Sequence, residues 1–369
     1  MRLSPVLAEL EQYPFTRLDE WRAGREVIDF GVGDPREITP AFIREALSAA
    51  IEERSSYPRA AGLPELRRAI RSWLARRYEV EVDDRELIPT LGSKEAIFSF
   101  AHVAVGEKRG VAVPEPGYPV YERGARFAGG TVIPVPLREE NGWLPDLEAF
   151  DAWDELALFW VCYPNNPTGA TAPLSFYEEL AGLAREHGFL LCSDEAYSEL
   201  WFDEPPGSAL QVADRENVVV FNTLSKRSSM TGYRSGFVCA PLDVADALRA
   251  FRPSTGTAPQ EFVQRASVAA WSDEAHVADV RELYRRKRET LLPALERKGL
   301  RHAGGDASFF LWIAVDEPSE AFARGLLEHG ILAAPGSFFG PAGEGYVRFA
   351  LVPTQDECER AAAILERVL

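Results

Sequence analysis

Lys226 closes the apolar run NVVVFNTLSK, with Thr223 and Ser225 beside it and Arg234 eight residues further on in a glycine-flanked turn. Two hydroxyls and a guanidinium around one amine suit a phosphate dianion next to a lysine that forms an imine. Neighbouring cations and loss of water would lower that lysine's pKa and raise its nucleophilic fraction. A lysine at such a place is equally an ordinary solvated charge, so its surroundings must decide. Asp194 ends the run GFLLCSD, and Tyr197 follows three residues later. Such an acid either caps the next helix or is a buried carboxylate that pairs with a protonated ring nitrogen.

Asn166 lies in YPNNPTG, a string of turn formers that ends another apolar run. Its carboxamide can donate to an anionic ring oxygen and to a substrate carboxylate, and Asn166–Pro167 is a candidate cis peptide. Gly92, Ser93 and Lys94 open a helical pattern, where free backbone N–H groups favour a phosphate. Tyr118 in PEPGYP is either packing or a platform for a flat ring. Arg348, inside GYVRFALV, needs an anionic partner, and a substrate α-carboxylate would serve as a bidentate one.

The elements that must hold these groups alternate along the middle of the chain. ELRRAIRSWLARRY (65–78), SKEAIFSFAHVAV (93–105) and LSFYEELAGLAREHG (174–188) have helical periodicity. Between them, RELIPTLG, RGVAVPEP, ALFWVCY, GFLLCSD and NVVVFNT read as strands, several continuously apolar. That pattern predicts an α/β fold with a mainly parallel sheet between helices, and ligands beyond the carboxyl ends of its strands. After residue 254 the rhythm changes to long helices (261–271, 273–297) and a few strands, a smaller α+β unit. The expected division is a large domain over 46–254 and a small one from 1–45 plus 255–369.

A net charge of -17 argues against nucleic acid as a partner. No run of 18 apolar residues exists to span a membrane, and the N-terminus lacks a signal-peptide pattern, so a cytoplasmic location is expected. The four cysteines and five histidines form no C-x-x-C or H-x-x-H cluster, so no metal site is expected. No G-x-G-x-x-G follows the first strand, which removes a dinucleotide-binding dehydrogenase. Lysines are scarce, only Lys94, Lys108, Lys226, Lys287 and Lys298.

The order of FGVGDP (30–35), YPRAAGLPELR (57–67), GSKEA, PEPGYPVY, YPNNPTG, SDEAY, SKRSSMTGYRSGF and YVRFAL resembles the class I/II, fold-type I aminotransferases over essentially the whole chain. The resemblance implies pyridoxal 5'-phosphate as cofactor, amino acids and oxoacids as substrates, and ping-pong transfer through an imine on Lys226, which also moves the proton between Cα and C4'. It implies Asp194 against the ring nitrogen, Asn166 and Tyr197 on the ring oxygen, and Tyr118 stacked on the ring. The phosphate falls to Ser93, Lys94, Thr223, Ser225 and Arg234, and the substrate carboxylate to Arg348, with Asn166 and the backbone near Gly33. Tyr57 matches a tyrosine that reaches the neighbouring subunit's phosphate, which implies a homodimer with shared sites. Where some relatives place Trp, this sequence has Tyr118.

Within that family, GSKEAIFSFAH, LSKRSSMTGYRSGF, AAWSDEAHV and AAPGSFFG look most like succinyldiaminopimelate aminotransferases of bacterial lysine biosynthesis. The implied reaction exchanges the amino group between glutamate/2-oxoglutarate and N-succinyl-2-amino-6-oxopimelate, with Arg59 and Arg227 as further contacts to these anions. Aspartate, alanine and LL-diaminopimelate aminotransferases share the core motifs, and so does a β-C–S lyase of the same fold. The effector domain of a transcription regulator is a further relative, but no basic N-terminal extension is present here.

Overall fold

The computed structural model describes residues 6–7, 12–54 and 56–368. In chain order its main elements begin with α1 (Pro14–Arg22), β1 (Ile28–Asp29), α2 (Ala41–Ala49), α3 (Pro64–Tyr78), β2 (Leu87–Thr90) and α4 (Gly92–Ala104). There follow β3 (Gly110–Glu115), α5 (Val120–Phe127), β4 (Thr131–Pro136), β5 (Leu156–Cys162), α6 (Leu174–His187), β6 (Leu190–Asp194) and β7 (Val218–Thr223). Next are α7 (Leu224–Arg227), β8 (Gly236–Cys239), α8 (Leu242–Phe251), α9 (Glu261–Ser272), α10 (Ala275–Arg297), β9 (Arg301–His302) and β10 (Phe310–Ala314). The chain ends with α11 (Ser319–Glu328), β11 (Ile331–Leu332), β12 (Ala334–Pro335), β13 (Tyr346–Ala350) and α12 (Gln355–Val368).

Seven strands form one sheet in the order β2-β8-β7-β6-β5-β3-β4. β8 runs antiparallel to both its neighbours, and the other pairings are parallel. Every residue of β5 and β7 is buried, because a parallel sheet between two helical layers has no wet face. On β5, Leu158, Trp160 and Cys162 join one hydrophobic cluster while Phe159 and Val161 join another, as the two-residue strand period requires. Helix ends obey the usual backbone chemistry: α3 has a proline in its first turn, and α6 stops at Gly188 in the left-handed conformation.

A second sheet, β12-β13-β10-β9, is antiparallel and packs with α10 and α12. The N-terminal segment is tied to this part by β1, which pairs in parallel with β11. One element sits differently from the sequence-based division at residue 254. Helix α9 packs on α2 and α3, and Trp271 meets Trp73 with ring centroids 4.6 Å apart, so α9 shares the core of the large sheet's helices. Periodicity identifies which face of a helix is apolar but not which neighbour will cover it.

Beyond β1, the N-terminal segment is fixed by charge. Lys287 on α10 is fully buried and pairs with Glu37, whose second oxygen accepts from the Tyr284 hydroxyl at 3.1 Å. Removing one member of such a pair leaves the other charge buried alone. Glu37→Ala should therefore cost about 3 kcal/mol, read as a lower urea midpoint at unchanged slope. A loss below about 0.5 kcal/mol would mean that Lys287 finds another partner.

Candidate active site

The strand ends converge on one cavity of about 270 Å³. Gly33, Ser93, Lys94, Tyr118, Asn166, Asp194, Tyr197, Thr223, Ser225, Lys226, Arg234 and Arg348 all line it, and of the residues expected at the site Tyr57, Arg59 and Arg227 do not. Tyr57 is fully exposed and lies away from the cavity of its own chain. The parallel strands β5, β6 and β7 deliver Asn166, Asp194 and Lys226 from consecutive carboxyl ends, while β13 brings Arg348 from the second sheet.

Lys226 sits on the single turn α7 and its Nζ donates to the Gly33 carbonyl. Burial lowers its pKa to about 8; Asp34 opposes that shift, and Arg348, Arg234 and Lys94 reinforce it. Asp194 is buried, and burial raises its carboxyl to about 6 against the lowering effect of its donors and of Lys226. Those donors are the Tyr121 hydroxyl at 2.7 Å and the Ala196 N–H at 3.2 Å.

Arg348 is 2% exposed and held by two neutral acceptors, the Asn166 side-chain oxygen at 2.7 Å and the Gly31 carbonyl at 2.6 Å. Its Nε has no partner among the described residues. Burial lowers its pKa to about 10, so the guanidinium stays charged near neutral pH. Because Asn166 spends its carbonyl oxygen on Arg348, the NH₂ end of the amide is left as the donor. The Asn166–Pro167 bond is cis, as are Glu115–Pro116 and Tyr163–Pro164.

At the other end of the cavity, α4 begins without a side-chain cap. Thr223 Oγ1 lies 2.9 Å from Ser225 Oγ and donates to the Ser235 carbonyl at 2.9 Å. Arg234, in the left-handed region with φ 53°, is pinned by the carbonyls of Thr231 and Leu91. Gly92 at φ 73° leaves the guanidinium room, since a Cβ there would come within 2.7 Å of Arg234 Nη2.

One expected contact is corrected, and a second is not made within the chain. Arg227 is 1% exposed and does not line the cavity; its guanidinium packs against the rings of Trp73 and Trp271 and pairs with Glu274 at 2.8 Å. Arg59 is exposed and does not line the cavity. Sequence reading missed Tyr121, Tyr13, Phe15, Asp34 and Phe310, which also line it. Tyr121 was legible in principle, one residue inside the helix that follows Tyr118 and so on the same sheet edge. Tyr13 and Phe15 carry no local signal, because only the pairing of β1 with β11 brings their segment here.

Lysines elsewhere are occupied or distant. Lys287 is buried against Glu37, Lys108 donates to the His187 carbonyl and Lys298 to that of Glu366. Among the described residues no helix is long and apolar enough to cross a membrane. No group of His, Cys, Asp and Glu among them is arranged to hold a metal ion.

The family described as aminotransferase class I and II matches residues 25–365. The LL-diaminopimelate aminotransferase of Aquifex aeolicus is 39% identical over 98% of each chain, and that of Oleidesulfovibrio alaskensis is 37% identical over 98% of this chain and 97% of its own. Among solved structures, an aminotransferase from Neisseria meningitidis aligns with a TM-score of 0.92 at 38% identity, covering 100% of both chains. The Thermus thermophilus aspartate aminotransferase with maleate aligns with the same TM-score at 31% identity, again over 100% of both.

The buried lysine makes a pH-dependent stability difference. Below about pH 8 its ammonium is charged in both states and burial opposes folding; between 8 and its ordinary 10.5 the unfolded chain binds the extra proton, so stability rises with pH. Above that range both states are neutral. Lys226→Met should therefore stabilise the cofactor-free chain at pH 7 by up to about 3 kcal/mol, a gain that shrinks to nothing towards pH 10.5. A gain independent of pH in urea melts would assign it to packing instead.

Proposed function

Because this chain belongs to the class I and II aminotransferases, whose cofactor is pyridoxal 5'-phosphate, we propose that it transfers an amino group between glutamate/2-oxoglutarate and LL-diaminopimelate. The chain is an aminotransferase acting on amino acids and oxoacids. The residues fit the cofactor. An uncapped helix start beside two hydroxyls and Arg234 suits a phosphate, Gly92 keeps that cradle open, and a buried acid faces a buried lysine across the cavity. When bound, the cofactor supplies an aldehyde that exchanges with amines and a ring that accepts the electron pair left by a broken Cα–H bond.

The rest is the work of this chain. The backbone N–H groups of Ser93 and Lys94, the hydroxyls of Thr223 and Ser225, and Arg234 would hold the phosphate. Asp194 as a carboxylate would keep the ring nitrogen protonated, while the Asn166 NH₂ and the Tyr197 hydroxyl would donate to the ring oxygen and Tyr118 would stack on the ring. Lys226, lowered to about 8, is a base near neutral pH and would take the substrate Cα proton on Nζ and return it at C4'. Arg348 would clamp the substrate α-carboxylate, with Asn166 and the Gly33 backbone beside it; its unpartnered Nε and its purely neutral acceptors leave its charge to be met by the substrate.

The substrate assignment is carried by relatives of full length, at 36% to 39% identity, that are named for LL-diaminopimelate. The N-succinylated compound is the second reading, favoured by four sequence segments. Two of these are engaged in packing. In AAWSDEAHV, Glu274 pairs with Arg227, and His276 lies 2.9 Å from Ser228 Oγ; in AAPGSFFG, Phe339 packs beside the Arg348 guanidinium. With 2-oxoglutarate as acceptor, kcat/KM for LL-diaminopimelate should exceed that for its N-succinyl derivative, aspartate and alanine by at least about tenfold. Preference for the succinylated compound would reverse the order of the two readings. Pyruvate and ammonia formed from cystathionine would point to a lyase instead. Arg348→Ala should lower kcat/KM for amino acid and oxoacid alike by roughly 10–200-fold.

A homodimer with shared sites is supported by apolar side chains left in water. Ile38 and Ile51 flank α2, Phe262 opens the α9 that packs on it, and Tyr57 lies between α2 and α3 in sequence; their exposures are 81%, 63%, 38% and 100%. A second copy covering this face would bury them. Sedimentation equilibrium should give twice the chain mass of 40.9 kDa, and a monomer at micromolar concentration would refute the shared site.

A further inference from the structure

Tyr121 stands one residue inside α5 and reaches the base of the cavity, where its hydroxyl donates to Asp194 Oδ2 at 2.7 Å. The other oxygen, Oδ1, accepts the Ala196 N–H at 3.2 Å. Each carboxylate oxygen thus has one protein donor and keeps one lone pair for another. We infer that Tyr121 is a positioning residue that, through Asp194, fixes the orientation of that carboxylate towards the cofactor ring and holds it ionised.

The ring of Tyr121 is itself immobilised. It stacks on Trp160 of β5 with centroids 5.0 Å apart and planes 19° from parallel, and meets Tyr118 edge-on at 5.8 Å. Trp160 in turn packs against Phe100 of α4 and Phe221 of β7, so the hydroxyl is delivered by a fully packed aromatic group. Buried aromatic stacks of this kind leave the side chain one rotamer, and the donated bond inherits that fixity.

The direction of proton donation follows from the surroundings of the pair. Asp194 faces Tyr121 and Tyr118 around α5, Cys162 at the end of β5, Tyr197 beyond β6 and Lys226 on α7. Burial moves the two phenols nearest it, Tyr118 and Tyr121, well above their ordinary value and the Cys162 thiol likewise, so all three remain neutral. Lys226 is then the one cation among these neighbours that favours the carboxylate, and it is also the group that must lose its charge to act as a base. The Tyr121 hydroxyl supplies stabilisation that does not vanish when Lys226 gives up its proton. A hydrogen bond donated to a charged group is among the stronger ones, which is why a phenol suffices.

This inference rests on the reading of Asp194 as the partner of the cofactor's ring nitrogen, and the test separates the two. Tyr121→Phe keeps the aromatic stack and deletes only the donor, and the unfolding temperature of the cofactor-free chain reports that the fold is retained. In the otherwise native chain it should raise the dissociation constant of pyridoxal 5'-phosphate about tenfold and shift the pH midpoint of the bound cofactor's visible absorption. It should also lower kcat while leaving KM for glutamate unchanged. In an Asp194→Asn background the same change should do nothing further. Unchanged affinity and midpoint in the native background, or an equal loss in both backgrounds, would overturn the role of Tyr121 and leave Asp194 in place. If Asp194→Asn alone left cofactor affinity intact, the reading of Asp194 would fall and the inference with it.

Discussion

An ammonium, a carboxylate and a guanidinium share the walls of one cavity, and each has given up most of its water. Burial is the first cause of every pKa shift among Lys226, Asp194 and Arg348. The remaining architecture answers to that cost. Parallel strands end side by side so that backbone carbonyls and N–H groups, rather than water, meet these charges. Gly31 and Gly33 offer carbonyls to Arg348 and Lys226, and both follow β1, which pairs with β11, and Phe30, whose carbonyl accepts the Ala350 N–H at the end of β13 in the second sheet. The two sheets are joined at the site because its charges take partners from both.

That arrangement explains why desolvation here is useful and not merely tolerated. Lys226 in water would be almost wholly protonated at neutral pH; lowered to about 8, a fraction of it is free amine. Arg348, by contrast, starts so high that the same burial leaves its charge intact. One environment thus produces a base and a permanent cation from two basic side chains. Asp194 is the delicate member, since burial pushes it towards neutrality and its donors must hold it back.

Much of this was legible in the sequence because strand ends in an α/β chain are marked by composition. The apolar runs LALFWVC, LLCSD and VVVFNT lead into Asn166, Asp194 and Lys226 respectively, for the same reason that those residues meet in space. Arg348 announced itself as a charge inside an apolar strand. What stayed hidden depended on long-range placement. Arg227, adjacent to Lys226, leaves the cavity because one step along a helical turn rotates the side chain by about 100°. Helix α9 is amphipathic in a manner that fits either half, and only the meeting of Trp271 with Trp73 decides its place. Tyr13 and Phe15 reach the cavity through a pairing of β1 with a strand some three hundred residues away.

The placement of the lysines bears on chemical selectivity. An aldehyde in solution condenses with any free, unhindered primary amine, so a protein that captures one must favour a single nitrogen over its own competitors. Here the field is thin. Lys287 is sealed inside the protein by a carboxylate, and Lys108 and Lys298 are tethered to backbone carbonyls on the outside. Lys94, at the mouth of the cavity, lies over the ring faces of Tyr13 and Tyr118. An arginine cannot compete at all, because its guanidinium stays protonated and is not a nucleophile. A surface whose positive charge is carried almost entirely by arginine therefore keeps its counter-ions to acidic residues without offering decoy amines, and selectivity for Lys226 is built partly by what the rest of the chain omits.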